Sequence, residues 1–154
     1  MDFIRRGTIA LLESGPEHDK ERLHPAVFIT EPFHDESNTG VLSVAVVPIS
    51  TTKSRGPGDP TCEIKGGEHE FIPEDSWVNY ARASVWTLAE VEKEIRNPTT
   101  NRNGKFIISQ EPMKGEVLQR VYAGVCKSPR TPLPVRDFYQ FAIMAVEQNR
   151  KRQV

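Results

Sequence analysis

Long apolar runs are missing from this chain. None approaches the roughly 18 residues that a membrane-spanning helix needs, and the hydrophobic share of the 154 residues is 37%. Cysteine is scarce. Cys62 and Cys126 are the only two, their spacing fits neither a metal finger nor a redox pair, and they read as reduced thiols of a cytoplasmic protein. No secretory leader is expected, because Thr8-Ile9-Ala10-Leu11-Leu12 runs straight into Glu13. Internal repeats are absent, which excludes a solenoid or array. Charge of one sign is lacking as well. Residues 1–100 hold 10 Lys/Arg and 17 Asp/Glu, a balance of −7, and residues 101–154 hold 10 and 4, a balance of +6, for a net −1. A domain that grips nucleic acid by bulk charge is usually basic throughout, and this one is not. The tail Arg150-Lys151-Arg152 reads as solvated charge, and the asymmetry suits a charge-complementary contact between the two parts or with a second chain.

What is present is a set of dense β-branched and aromatic runs, enough for one core in one domain spanning 1–154. The runs 7–13, 25–30 and 41–48 read as strands, the last nearly all apolar and therefore expected to be covered on both faces. Gly66-Gly67 between 62–65 and 68–72 reads as a hairpin turn, and 76–86 as further strand with Val78 and Tyr80 on one face. The period then changes. Thr87-Leu88-Ala89-Glu90 has the spacing of a capping box and predicts a helix over about 88–96, stopped by Asn97-Pro98. Ser109 with Pro112 predicts a helix over 109–127 with the stripe Val117, Leu118, Val121, Tyr122 and Val125. After three prolines a last helix is expected over 134–151, with Phe138, Phe141, Ala142 and Ala145 on one face. Strands over 1–86 followed by helices over 87–96, 109–127 and 134–151 imply an α+β fold. The expected form is a small, SH3-like, strongly bent or partly closed antiparallel barrel with C-terminal helices packed on it.

Nucleophile elbows, phosphate-binding loops and Cys/His nucleophile patterns are all missing. Three histidines stand beside acids, in Glu17-His18-Asp19, His34-Asp35-Glu36 and Glu68-His69-Glu70. Neighbouring residues of a strand point to opposite faces, so such triplets cannot chelate one ion, and no metal or other cofactor is expected. Two strand junctions remain: Arg22-Leu23-His24-Pro25, and Pro48-Ile49-Ser50-Thr51-Thr52-Lys53. Loops at the ends of buried strands are rigidly placed and wet, the usual setting for binding groups. Imidazole suits proton transfer near neutrality. The hydroxyls beside Lys53 and Arg55 suit a phosphate, although turn hydrogen bonds and a loop cap would account for the same residues.

These signals, in this order, resemble the MazF/PemK (Kid-like) family of toxin–antitoxin ribonucleases. Arg6-Gly7-Thr8-Ile9-Ala10-Leu11-Leu12 is similar to the family's first strand. His24-Pro25-Ala26-Val27-Phe28-Ile29-Thr30 is similar to its Arg-Pro-Ala-Val strand, and Val46-Val47-Pro48-Ile49-Ser50-Thr51-Thr52 to its Val-Pro segment. The likeness covers about residues 5–55. It implies an SH3-like barrel, a cytoplasmic homodimer, a cognate antitoxin protein, and metal-independent cleavage of single-stranded RNA by 2′-hydroxyl attack. His24 stands where the family has arginine, and Ser50 where it has threonine. The residues so implicated are His24, Ser50, Thr51 and Arg22 for catalysis, with Lys53 and Arg55 for RNA binding. Histidine keeps an acid/base group but loses arginine's permanent, forked charge. A second pattern, Gly67-Glu68-His69-Glu70 followed by Ser76-Trp77-Val78-Asn79-Tyr80, looks like PemK-like barrel proteins of unassigned activity. It marks His69, Ser76 and Tyr80 as a secondary cluster, either bracing the sheet or forming a site of its own. The alternative to a nuclease is a non-catalytic SH3-like adaptor that binds a protein or nucleic-acid segment through its loops.

Overall fold

The computed structural model describes residues 4–12, 24–51, 58–96, 107–109 and 111–152. Its strands are β1 (Ile9–Leu12), β2 (His24–Phe28), β3 (Phe33–Asp35), β4 (Val41–Thr51), β5 (Glu63–Ile64), β6 (Ser76–Val78), β7 (Ser84–Thr87) and β8 (Ile107–Ile108). Its helices are α1 (Leu88–Arg96), α2 (Gly115–Lys127) and α3 (Leu133–Arg152). The fold is α+β with one antiparallel sheet. Among the described residues the sheet is not closed: its path runs β5-β6-β4-β2-β1-β8, with β3 and β7 also paired to β4.

β4 is the hub. On one side it pairs with β3 and then β2; on the other with β7 and then β6. Pro48 sits at the second changeover. A proline in a central strand removes a ladder donor. Here β7 has just ended, a short 3-10 turn (Tyr80–Arg82) intervenes, and Asn79 N–H reaches the Pro48 carbonyl at 2.9 Å. The strand read over 76–86 is therefore two strands broken by that turn, while Val78 and Tyr80 are both fully buried.

Alternation along the strands fills two cores. Ile9, Val27, Ala45, Val47 and Ile49 face the core roofed by α2 and α3, which adds Val117, Val121, Val125, Val135 and Phe138. Ala10, Leu12, Ala26, Phe28, Val44 and Val46 face the opposite core, closed by Val91 of α1. Ser43 through Val47 are buried because helices cover both faces of that part of β4, as its nearly all-apolar run implied, whereas Val41 and Leu42 at its start are exposed. Helix α1 begins where the cap predicts, with Glu90 N–H donating to Thr87 Oγ1 at 3.1 Å. Thr87→Ala is expected to cost about 1 kcal/mol of stability, measured as a lower urea midpoint at unchanged slope.

Three expectations are corrected. Residues 68–72 form no hairpin strand. β5 pairs with β6 instead, and His69 and Ile72 close a tight turn through Ile72 N–H to the His69 carbonyl. Gly67 has φ +91°, and a side chain on Gly66 would meet the backbone of residues 73–74 at under 3 Å. The two glycines thus serve a crossing of chain segments. Second, α2 starts at Gly115, because the Ser109 hydroxyl is engaged with Glu111, accepting its N–H and donating to its carbonyl. Its predicted stripe does face the core. Third, Phe141 of α3 is 62% exposed, and the buried line is Val135, Phe138, Tyr139 and Ala142. Spacing of i, i+3, i+4, i+7 fits that line better than the one containing Phe141. The excursion read over 97–104 lies outside the described residues.

Candidate functional site

His24 opens β2 and lies opposite Leu12 of β1. Ser50 lies opposite Trp77 of β6, which lies opposite Glu63 of β5. The β2–β4 pairing ends with Ala26 opposite Pro48; carried two residues further, that register sets His24 opposite Ser50. Directly opposed residues share a face. Leu12 and His24 thus form one row, Ser50, Trp77 and Glu63 another, and alternation puts both on the same face at one end of the sheet; the described β2–β4 pairs stop at Ala26 and Pro48, short of His24 and Ser50. Leu12 is buried, His24, Ser50 and Trp77 are half-buried, and Glu63 is exposed. Remote sequence positions are joined here by register alone, on the face away from α2 and α3.

Hydrogen bonds tie the second row to the frame. Asn79 Nδ2 donates to Ser50 Oγ at 3.2 Å, and Trp77 Nε1 donates to the Thr51 carbonyl at 3.2 Å. The indole lies over Gly58, where a Cβ would come within 3.1 Å of three ring atoms. Thr51 follows Ser50 along the strand, so its side chain takes the opposite face, in register with Ser76 and, through it, with the buried Ile64. Ser50 and Thr51 therefore do not line one surface. Arg22, Lys53 and Arg55 lie outside the described residues, as does His18.

The secondary cluster is dispersed. Ser76 Oγ donates to the Glu74 carbonyl at 2.8 Å. Tyr80 is fully buried beneath α2 with its hydroxyl donating to the Val121 carbonyl at 2.8 Å, and burial pushes its pKa far up. His69, also buried, accepts the Phe71 N–H at Nδ1 (3.0 Å). The proton must then sit on Nε2, which donates to the Glu111 carbonyl at 2.7 Å. Ser109 Oγ lies 3.1 Å from the same Nε2. The distance is that of a nucleophile and its base, but a ring nitrogen already holding a proton cannot take one from serine. His69 thus fastens the 66–72 turn to the segment before α2.

Two structural centres carry no sequence signal. Arg6 lies with its guanidinium 3.8 Å from the Tyr122 ring centre, and it donates to Tyr139 Oη (2.7 Å) and the Ile29 carbonyl (3.2 Å). It pins the start of the chain to both α2 and α3. Asp59, 2% exposed, accepts from Ser128 Oγ (2.6 Å) and from the Thr61 N–H and hydroxyl (2.9 and 2.5 Å). Burial alone would raise its pKa; the bonds from Ser128 and Thr61 and the Arg130 charge outweigh burial and hold it below the ordinary 3.8. A folded-state pKa below the unfolded one stabilises the protein above the unfolded value, and that contribution disappears as pH falls through the folded value. Asp59→Asn is expected to cost about 1–3 kcal/mol at pH 7. It should also flatten the loss of stability below about pH 4, seen by comparing urea midpoints of the two proteins across that range.

His34 is exposed, with Nδ1 2.9 Å from the Gly40 carbonyl. Among the described residues no group of three or more His, Cys, Asp or Glu gathers as a metal site would require, and no helix is long and apolar enough to cross a membrane. Cys62 is a buried and Cys126 an exposed free thiol. Comparison with known proteins finds no matching family model and no matching curated protein.

Proposed function

We propose that this protein is a metal-independent endoribonuclease acting on single-stranded RNA, a divergent relative of the MazF/PemK toxins on an SH3-like sheet. One observation supports the reading: His24 of β2 and Ser50 of β4, two positions marked by that resemblance, project from the same face of the sheet, and the β2–β4 register extended two residues past its last pair sets them opposite each other, with the half-buried Trp77 beside Ser50. An imidazole to move protons, a hydroxyl to bond a phosphate oxygen and an indole against which a base can stack are what a single-strand nuclease needs. In the proposed reaction His24 takes the proton of the ribose 2′-hydroxyl as that oxygen attacks phosphorus. The bond from phosphorus to the 5′-oxygen breaks, water protonates the departing 5′-oxygen, a 2′,3′-cyclic phosphate remains, and His24 releases its proton to solvent. Ser50 donates to a non-bridging oxygen, and Arg22, Lys53 and Arg55 supply positive charge from the adjoining chain. Thr51, on the other face, takes no part. A cytoplasmic homodimer restrained by a cognate antitoxin belongs to the same proposal. Single-stranded RNA incubated with folded, antitoxin-free protein in EDTA should be cut to cyclic-phosphate ends; intact RNA would overturn the reading.

A purely binding role has one feature in its favour. Leu133, Phe141 and Met144 of α3 are 64%, 62% and 53% exposed and share one stripe turned away from the core. An adaptor docking through that stripe would lose its partner on Phe141→Glu and leave RNA uncut, whereas the nuclease would keep cutting.

A further inference from the structure

A polar recess lies at the β5 end of the sheet, between residues 60–63 and α2. Its volume is about 370 Å³, and Thr61, Cys62, Glu63, Arg120 and Lys127 contribute to its walls. The sequence of α2 explains why it is open. Ala123 and Gly124 lie between Arg120 and Lys127, so small residues form the floor while two cations stand at either side. Gly124 must be small, because the Tyr80 ring occupies the space beside it. Arg120 and Lys127 are seven residues apart, about 10.5 Å along the axis and on the same side of the helix. That is a separation that two long side chains can close around one ligand.

The charges around this recess are not used up by the fold. Arg120 Nη1 donates to the Glu63 carbonyl at 2.8 Å, which fixes the guanidinium over the recess while leaving other N–H donors in its fork. Among the described residues neither Arg120 nor Lys127 forms an ion pair with a carboxylate, although Glu63 lines the same space. Asp59, just behind Thr61, already takes hydrogen bonds from Ser128 and Thr61. The Cys62 thiol beside it is raised in pKa by burial, against the opposing Arg120 charge, and so stays neutral. Two cations without carboxylate partners across a polar recess fit an oxyanion that accepts a forked guanidinium and an ammonium together.

We propose that this recess is a phosphate-binding site, taking a phosphate monoester or diester between Arg120 and Lys127. The inference does not rest on the nuclease reading: His24, Ser50 and Trp77 do not line the recess, and the residue common to the Ser50 row and the recess is Glu63, whose carbonyl accepts from Arg120. The phosphate can come from a small molecule or from a nucleic-acid strand, and the two sources are separable. Inorganic phosphate, a nucleoside monophosphate and a short non-cleavable single-stranded oligonucleotide are each titrated into the full chain by calorimetry. The titrations are repeated on Lys127→Gln, Arg120→Gln and the tail control Arg150→Gln. Affinity for all three ligands should fall about tenfold or more in the first two variants, weaken with added salt, and stay unchanged in the control. Lys127 is exposed and its side chain holds no other element, so its variant tests the site even if Arg120→Gln loosens residues 60–63. An oligonucleotide bound more tightly than the monophosphate assigns the site to a strand, and equal affinities assign it to a small molecule. Phosphate binding that is the same in Lys127→Gln as in the wild type, or no binding of phosphate at all, would overturn the proposal.

Discussion

Replacing Gly124 by alanine is expected to lower the unfolding free energy by about 3 kcal/mol. Propensity alone argues the other way, since Gly→Ala inside a helix stabilises by up to about 1 kcal/mol. The decision rests on space. A Cβ at 124 would overlap the Tyr80 hydroxyl and stand 2.5 Å from ring carbon Cζ. Tyr80 cannot retreat, because it is fully buried and its hydroxyl is bonded to the Val121 carbonyl. Either α2 lifts from the sheet, loosening Val117, Val121 and Val125, or the ring leaves its pocket and its hydroxyl loses its partner. Urea denaturation followed by tyrosine and tryptophan fluorescence measures the effect. In a double-mutant cycle Tyr80→Leu should cost less in the Gly124→Ala background than in the wild type, because the shortened side chain relieves the clash. A raised midpoint for Gly124→Ala would show that α2 does not seat on Tyr80.

Under the proposed nuclease mechanism, His24→Ala is expected to slow RNA cleavage by about 100-fold or more, the usual worth of a positioned general acid–base group. Ser50→Ala should slow it by about tenfold, the loss of one hydrogen bond to a phosphate oxygen. Thr51→Ala should leave the rate unchanged, because alternation along β4 sends that side chain to the other face. The three variants lie within a half-buried strand end, so thermal melts must first show that each is folded. A His24→Ala protein that cuts as fast as the wild type would remove the imidazole from the chemistry. Equal losses in Ser50→Ala and Thr51→Ala would mean that the strand does not divide the two hydroxyls as its register says.

Sequence pattern revealed much of the frame, because its strongest signals are local. Helix α1 was legible from four residues, since the Thr87 cap satisfies a backbone donor wherever the helix is placed. β4 was legible because only a strand covered on both faces tolerates so continuous an apolar run. Failures came where tertiary partners decided. Ser109 has the chemistry of a helix cap, but its hydroxyl bonds Glu111 and lies beside His69, 40 positions away. Gly66-Gly67 has the composition of a hairpin turn, but Gly66 N–H donates to Asp75 Oδ1 and β5 finds its partner at 76–78. The bond of Ser128 to Asp59 spans 69 positions and leaves no periodic trace. The candidate face was half-legible. His24 and Ser50 stood out as hydrophilic groups at the ends of buried strands, but that one adjacent hydroxyl faces with His24 and the next does not follows only from pairing register. Trp77 was visible as a strand aromatic; its place beside Ser50 was not.

Whether His24 and Ser50 act on one phosphate is tested most directly by cleavage rates of the wild type, His24→Ala, Ser50→Ala and the double variant. Groups that serve one transition state are strongly non-additive. The double variant should therefore be hardly slower than His24→Ala alone. Losses that simply multiply would place the two side chains in separate events and contradict a shared site.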